Sequence, residues 1–296
     1  MDGVLNIYKE KGYTSHDVVA KLRGILKQKK IGHTGTLDPD ATGVLPVCLG
    51  KATKLCDLLT DHSKTYRAVL LLGLTTDTQD ISGTVLTQVE KEQMVNITSE
   101  VVQNAIMSYV GEYQQIPPMY SALKVNGKKL YELARAGITV ERQARTVAIK
   151  EIRILEIDLP EVTMEVSCSK GTYIRTLCHD IGQKLQVGGV MKELTRTQVE
   201  RFLIEDALTL SEIEALRDAG TLEQHMIKVD DMFQSAPKII AEPSLDRLLL
   251  NGNKFRRQDE YTEGTQVRVY DSQEHFIGLY QKKQDEYQPV KMFLGS

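Results

Sequence analysis

The apolar residues of the first fifty positions change period twice. Residues 3–8 read as a short strand. Val18, Val19, Leu22, Ile25 and Leu26 then recur at helical spacing, behind Thr14 or Ser15 as a cap and Asp17 in the first turn. This helix ends in Lys27, Lys29 and Lys30, where positive charge suits the helix dipole. The unbroken apolar run 44–49 reads as a buried strand. Residues 51–59 predict a helix, and 65–72 a strand with Tyr66, Ala68 and Leu70 on one face. A polar loop at 75–83 holds Asp77 and Asp80. Thr98 caps a helix running to 109, and 114–125 is extended through Pro117-Pro118. Asn126-Gly127 is a tight turn, and 128–136 predicts a helix stopped by Gly137. Residues 145–159 and 161–167 predict a hairpin, and 211–219 a helix. From about 238 the pattern becomes short alternating strands, at 267–269, 276–280 and the C-terminal end, which predicts a small β-barrel.

Between the first helix and the run 44–49 lies the string I-G-H-T-G-T-L-D-P-D-A-T-G-V-L-P-V-C-L, residues 31–49. Gly32, Gly35 and Gly43 suit a positive φ or a close backbone approach. Pro39 fixes its own φ and pushes Asp38 towards an extended conformation. Asp38 therefore sits on stiff, turned backbone that leads into a core strand, which is what a positioned nucleophile or general base requires. The Asp-Pro pair by itself is equally explained by turn chemistry. A phosphate loop is excluded, because too many residues separate Gly43 from Gly50-Lys51 and Ala52 stands where Ser or Thr is needed. Gln79 and Ile81 exclude an EF-hand in the loop at 75–83.

Composition narrows the class. The chain has 296 residues, room for one large or two ordinary domains, with 41% hydrophobic and 26% charged residues, as in a globular protein with a full core. No run is long enough to span a membrane and no secretory pattern opens the chain, so a cytoplasmic protein is expected. Cys48, Cys56, Cys168 and Cys178 form no C-x-x-C pair and read as reduced thiols rather than a zinc site. A net charge of −3 speaks against a general nucleic-acid binder. The charge is uneven, however. Residues 114–150 carry seven Lys/Arg against two Glu, and 205–246 carry ten acids against three bases. Affinity for phosphates follows local potential, and Tyr113, Tyr120 and Tyr131 lie within or beside the basic region, which suits phosphates and unstacked bases.

The string G-H-T-G-T-L-D-P-x-A-T-G-V-L closely resembles the signature of the TruB family of tRNA pseudouridine synthases. C-S-K-G-T-Y-I-R-T-L, residues 168–177, is similar to a second string of that family, and 64–67 and 190–196 are similar to further segments. The resemblance implies an α+β fold: a catalytic domain at 1–237 with a mixed central sheet, and a C-terminal β-barrel at 238–296 similar to a PUA domain. It makes Asp38 the catalytic residue. Tyr66 matches the tyrosine that stacks on the target uracil, Leu194 an apolar residue of the uracil pocket, and His33 a residue of the RNA-facing loop. Tyr173 and Arg175 match the family's tyrosine and arginine. A guanidinium can pair at two points with a catalytic carboxylate and favour its ionised form, so Arg175 is the candidate partner of Asp38. Lys54, Lys124, Lys128 and Lys129 are candidate contacts to the RNA backbone. The family's usual Lys-Pro is here Lys9-Glu10, which puts the stiffness of the N-terminal loop in question.

The implied reaction is isomerisation of uridine 55, in the T-arm stem-loop of tRNA, to pseudouridine. The base leaves its stack, N1–C1′ breaks, the uracil rotates, and C5 joins C1′. Attack by Asp38 at C1′, attack at C6 and a glycal route stay open. Neither a metal nor a nucleotide cofactor is called for, and a monomer is expected. Two other readings compete. One is a non-catalytic RNA-binding or tRNA-folding chaperone on the same fold. The other is a two-carboxylate glycoside hydrolase using Asp38 with Asp40 or Asp57.

Overall fold

The computed structural model describes residues 1–60, 63–125 and 127–294, apart from the side chains of Thr60 and Lys91. In chain order the N-terminal part runs β1 (Gly3–Lys9), α1 (Ser15–Leu26), β2 (Ile31–His33), β3 (Thr42–Leu49), α2 (Cys56–Thr60) and β4 (Lys64–Leu72). The hairpin β5 (Leu74–Thr76) and β6 (Val85–Gln88), α3 (Ser99–Met107) and β7 (Gly111–Gln115) follow. Next come the short strands β8 (Lys124–Val125) and β9 (Lys128–Lys129), and α4 (Leu130–Arg135). The long hairpin β10 (Arg145–Asp158) and β11 (Glu161–Cys168) leads to α5 (Ile174–Lys184), β12 (Gly189–Val199), β13 (Phe202–Leu203) and α6 (Leu210–Asp218).

One mixed sheet runs in the order β1–β3–β12–β4–β11–β10–β7, with β2 added on β3 and β13 on β12, while β5–β6 and β8–β9 are separate two-stranded sheets. Its one parallel pairing along this path joins β12 to β3, with Thr195 opposite Thr42 and Arg196 opposite Gly43. Two edges meet on β3: β2 pairs with its far end, and β12 with its beginning. The loop carrying Asp38 leaves the sheet between them. Strand alternation assigns the faces. On β1 and β3, Leu5, Ile7, Leu45 and Val47 pack under α1 and α6, whereas Val4, Val44 and Cys48 face the opposite cluster. On β4, Tyr66, Ala68 and Leu70 lie in one buried cluster with α3 and α5, as the period of two predicts.

The C-terminal part has β14 (Lys238–Ile240), α7 (Asp246–Leu250), β15 (Phe255–Arg256), β16 (Gln266–Tyr270), β17 (Phe276–Lys283) and β18 (Glu286–Met292). They form a separate sheet, β14–β16–β17–β18–β15, around a core of its own. The predicted barrel is thus a curled half-barrel: bulges at Val269/Tyr270 and Leu279/Tyr280 bend the strands without bringing β14 to β15. Phe293 leaves this sheet and packs against Val4, Val44 and Phe202 of the N-terminal part.

Two predicted helices change extent. Residues 50–55 coil as a 3-10 helix before α2. Lys128 and Lys129 pair with Lys124 and Val125 instead of opening a helix, which begins at the buried Leu130. Asn126 of the predicted turn lies outside the described residues.

Gly43 is where the backbone of the Asp38 loop enters β3. Its φ is +104°, and a Cβ there would lie 2.2 Å from the Arg196 carbonyl oxygen. Both backbones belong to the sheet and cannot give way. Gly43→Ala is therefore expected to destabilise the fold by about 3 kcal/mol or more, read by chemical denaturation. A loss below ~1 kcal/mol would show that β3 and β12 can part here without cost.

Candidate active site

The loop after β2 is fixed by its neighbours on both sides of Asp38. Thr34 donates its backbone N–H to the Pro46 carbonyl at 3.0 Å, and the Leu37 N–H donates to the Ser15 hydroxyl at 3.0 Å. Leu37 and Ala41 are buried in the cluster that contains Tyr66. With both flanks anchored inward, Asp38 turns outward, and its side chain stays 43% exposed.

Arg175 meets it from the first turn of α5, in the segment 168–177. Gly171, at φ +80°, turns the chain after β11, and Tyr173 stands at the start of α5. The side-chain amide of buried Gln115 clamps that start, accepting from the Tyr173 N–H at 2.7 Å and donating to its carbonyl at 3.0 Å. The Arg175 guanidinium then reaches Asp38 at two points, Nε to Oδ2 at 3.0 Å and Nη2 to Oδ1 at 3.4 Å. It also donates to the carbonyls of Thr78 at 3.1 Å and Tyr120 at 2.9 Å, and lies 3.7 Å from Asp80. The side chain is only 7% exposed. A planar, largely buried fork that joins one carboxylate to two other loops sets the orientation of that carboxylate.

Tyr66 stands opposite Arg196 in the pairing of β4 with β12, and Leu194 stands opposite Ala68. Leu194 packs on the same cluster as Tyr66, Leu37 and Ala41, so an aromatic ring and apolar side chains gather next to the Asp38 loop. Burial pushes the Tyr66 phenol up from its ordinary value, against the opposing pull of Arg196. Asp38, Arg175, Tyr66 and Leu194 are thus brought together around one loop.

The sequence places this geometry in a known family. The model of the TruB family pseudouridylate synthase N-terminal domain matches residues 23–174, and that of the tRNA pseudouridylate synthase B C-terminal domain matches 175–250. The chain is 53% identical to the tRNA pseudouridine synthase B of Lachnoclostridium phytofermentans, over 99% of this chain and 100% of that one. It belongs to the TruB family of pseudouridylate synthases. The Clostridium perfringens protein of the same name is 45% identical over 99% of both chains. Among solved structures, a Cbf5-Nop10-Gar1 complex matches with TM-score 0.72 and 27% identity, over 99% of this chain and 85% of that one.

In this TruB-family chain the missing proline after Lys9 is compensated. Lys9 is fully buried and donates from Nζ to the carbonyls of Tyr13 at 2.6 Å, Glu10 at 3.1 Å and Pro39 at 3.1 Å, while the Gly12 N–H donates to Pro39 at 2.9 Å. The ammonium thus staples the N-terminal loop to the Asp38 loop. Burial pushes Lys9 down to about 8, with Asp38 and Asp40 pulling the other way, so it remains charged at neutral pH.

His33 sits half-buried at the end of β2, edge-on to His16 at 5.3 Å. Burial, then the charges of His16 and Arg196, push it down to about 4. At neutral pH it is a neutral hydrogen-bonding ring rather than a cation.

The lysines divide. Lys124 and Lys129 face each other across the β8–β9 hairpin beside Lys128, and Lys129 donates to the Tyr131 hydroxyl at 3.1 Å. Lys54 instead donates to the Met292 carbonyl at 2.9 Å, tying the two sheets together. The basic residues of the C-terminal part are also engaged: Lys254 and Arg256 pair with Glu286 at 2.6 and 3.2 Å, and Arg257 lies 3.9 Å from Asp259. Sequence reasoning gave no site role to Asp80, Gln115 or Arg196. Asp80 and Gln115 act on residues far along the chain, so no local pattern marks them; Arg196 closes the segment 190–196 that is similar to the family, and that segment was the signal for it.

Proposed function

We propose that this chain isomerises uridine 55, in the T-arm stem-loop of tRNA, to pseudouridine, as a cytoplasmic monomer using neither metal nor nucleotide cofactor. The observation that carries this reading is the two-point contact of Arg175 with Asp38 beside the Tyr66–Leu194 cluster. In it Asp38 is the reacting carboxylate, whether at C1′, at C6 or through a glycal. Arg175 holds it on the line of approach. Tyr66 stacks on the detached uracil and Leu194 closes the pocket, so the base can rotate without escaping. His33 and Tyr173 hold the RNA around the extruded nucleotide, and Lys124, Lys128 and Lys129 meet its phosphates. Residues 1–237 carry the chemistry and 238–296 add RNA affinity. Among the described residues no helix is long and apolar enough to cross a membrane.

The test is to incubate the protein with an unmodified T-arm stem-loop transcript in the presence of EDTA and map the product. Pseudouridine at position 55 with no free uracil is expected. Released uracil would make it a glycoside hydrolase, and tight binding without conversion would make it a chaperone.

A further inference from the structure

Arg196 is the largest fully buried side chain of the described residues, with none of its surface exposed. Its backbone lies between the two strands that matter most, opposite Gly43 of β3 on one side and Tyr66 of β4 on the other. Its guanidinium donates from Nε to the Val44 carbonyl at 2.7 Å and from Nη2 to the Gly35 carbonyl at 3.2 Å. In the antiparallel pairing of β4 with β12, Arg196 is also the direct cross-strand neighbour of Tyr66. Gly35 and Val44 stand on either side of Asp38, so one planar group, on the strand position facing Tyr66, grips both ends of the Asp38 loop.

The charge is unusual as well. Among the described residues no carboxylate lies within 4.0 Å of Arg196; Asp38, the acid of this loop, is paired with Arg175. A buried guanidinium held by carbonyl dipoles is expensive, and the fold could have satisfied Gly35 and Val44 more cheaply with a neutral donor. Charge here has a use if negative charge develops nearby during the reaction. Breaking N1–C1′ leaves the electron pair on the uracil, which is then an anion until C5 attacks C1′.

We propose that Arg196 is a positioning residue for the isomerisation: it sets the Tyr66 hydroxyl against both ends of the Asp38 loop and supplies uncompensated positive charge behind the site where the base detaches. The inference rests on the reading of Asp38 and Tyr66 given above.

The experiment compares wild type, Arg196→Lys, Tyr66→Phe and the double variant on the T-arm transcript. Single-turnover rate at saturating RNA, RNA affinity and the 13Cζ NMR signal of Tyr66 (assigned by its loss in Tyr66→Phe) are measured. Arg196→Lys should bind RNA within about threefold of wild type, convert it about a hundredfold more slowly, ~2.7 kcal/mol of barrier, and shift the Tyr66 signal. The loss should shrink to tenfold or less in the Tyr66→Phe background, because the two side chains act through one contact. A rate within threefold of wild type, an unmoved Tyr66 signal, equal losses in both backgrounds, or an Arg196→Lys protein that does not fold would each overturn the assignment. Absence of pseudouridine with the wild-type protein would instead sink the function itself.

Discussion

Asp38→Asn should leave a folded protein that binds tRNA as wild type does and turns it over at least ~10⁴-fold more slowly, a loss of ~5.5 kcal/mol of barrier lowering. The side chain keeps its size and one oxygen, so only nucleophilic or basic competence is removed. The loop does not depend on the carboxylate for its shape. Leu37 and Ala41 anchor it in the core, Lys9 holds Pro39, and Arg196 holds Gly35 and Val44. Arg175 also keeps company after the change, because the carbonyls of Thr78 and Tyr120 and the carboxylate of Asp80 remain around it. Thermal unfolding, RNA affinity and single-turnover conversion should therefore separate cleanly. Residual activity within tenfold of wild type would remove Asp38 from the chemistry.

How much of this was legible in the chain depended on the range of the contacts. The string 31–49 announced a stiff loop ahead of a core strand, and Thr34, Leu37 and Ala41 hold it so. The residues 168–177 announced a strand, a glycine turn and a helix, and Arg175 rides on the start of that helix. The Asp38–Arg175 pair came from two strings 137 residues apart that only the family resemblance connected. What stayed hidden are side chains that bond to backbone carbonyls far along the chain. Lys9 reaching Pro39 and Arg196 reaching Gly35 leave no periodicity and no paired charge to read. Charge is hidden in the same way: Lys254, Arg256 and Arg257 are close in sequence with no acid beside the first two, yet the β15–β18 pairing brings Glu286 to them. Nor is residue 237 a clean place to cut. Phe293 stacks near Phe276 at 5.5 Å and Phe233 at 5.9 Å and completes a core that includes Val4 and Val44, so removing 238–296 would expose the back of the strand that follows the Asp38 loop.

Arg175→Lys preserves charge and is nevertheless expected to lower single-turnover conversion by about 10²- to 10³-fold, ~3–4 kcal/mol, with little change in RNA affinity. The guanidinium serves both oxygens of Asp38 and the carbonyls of Thr78 and Tyr120 from one rigid plane, and its Nη1 approaches Asp80. These partners come from three separate loops. An ammonium offers three donors from a single point and cannot span them, so at least one loop loses its tie. The variant should also unfold a few degrees earlier, since a carbonyl left unpaired at a 7% exposed site costs about 1–3 kcal/mol. The Asp38 carboxylate, with 43% of its side chain in solvent, then loses the fork that aims it and samples orientations that do not reach the nucleotide. Arg175→Lys therefore acts on the rate through geometry at unchanged charge. If the variant converts tRNA within threefold of wild type, two-point orientation is not what Asp38 requires, and the positive charge of Arg175 alone would account for its place in the site.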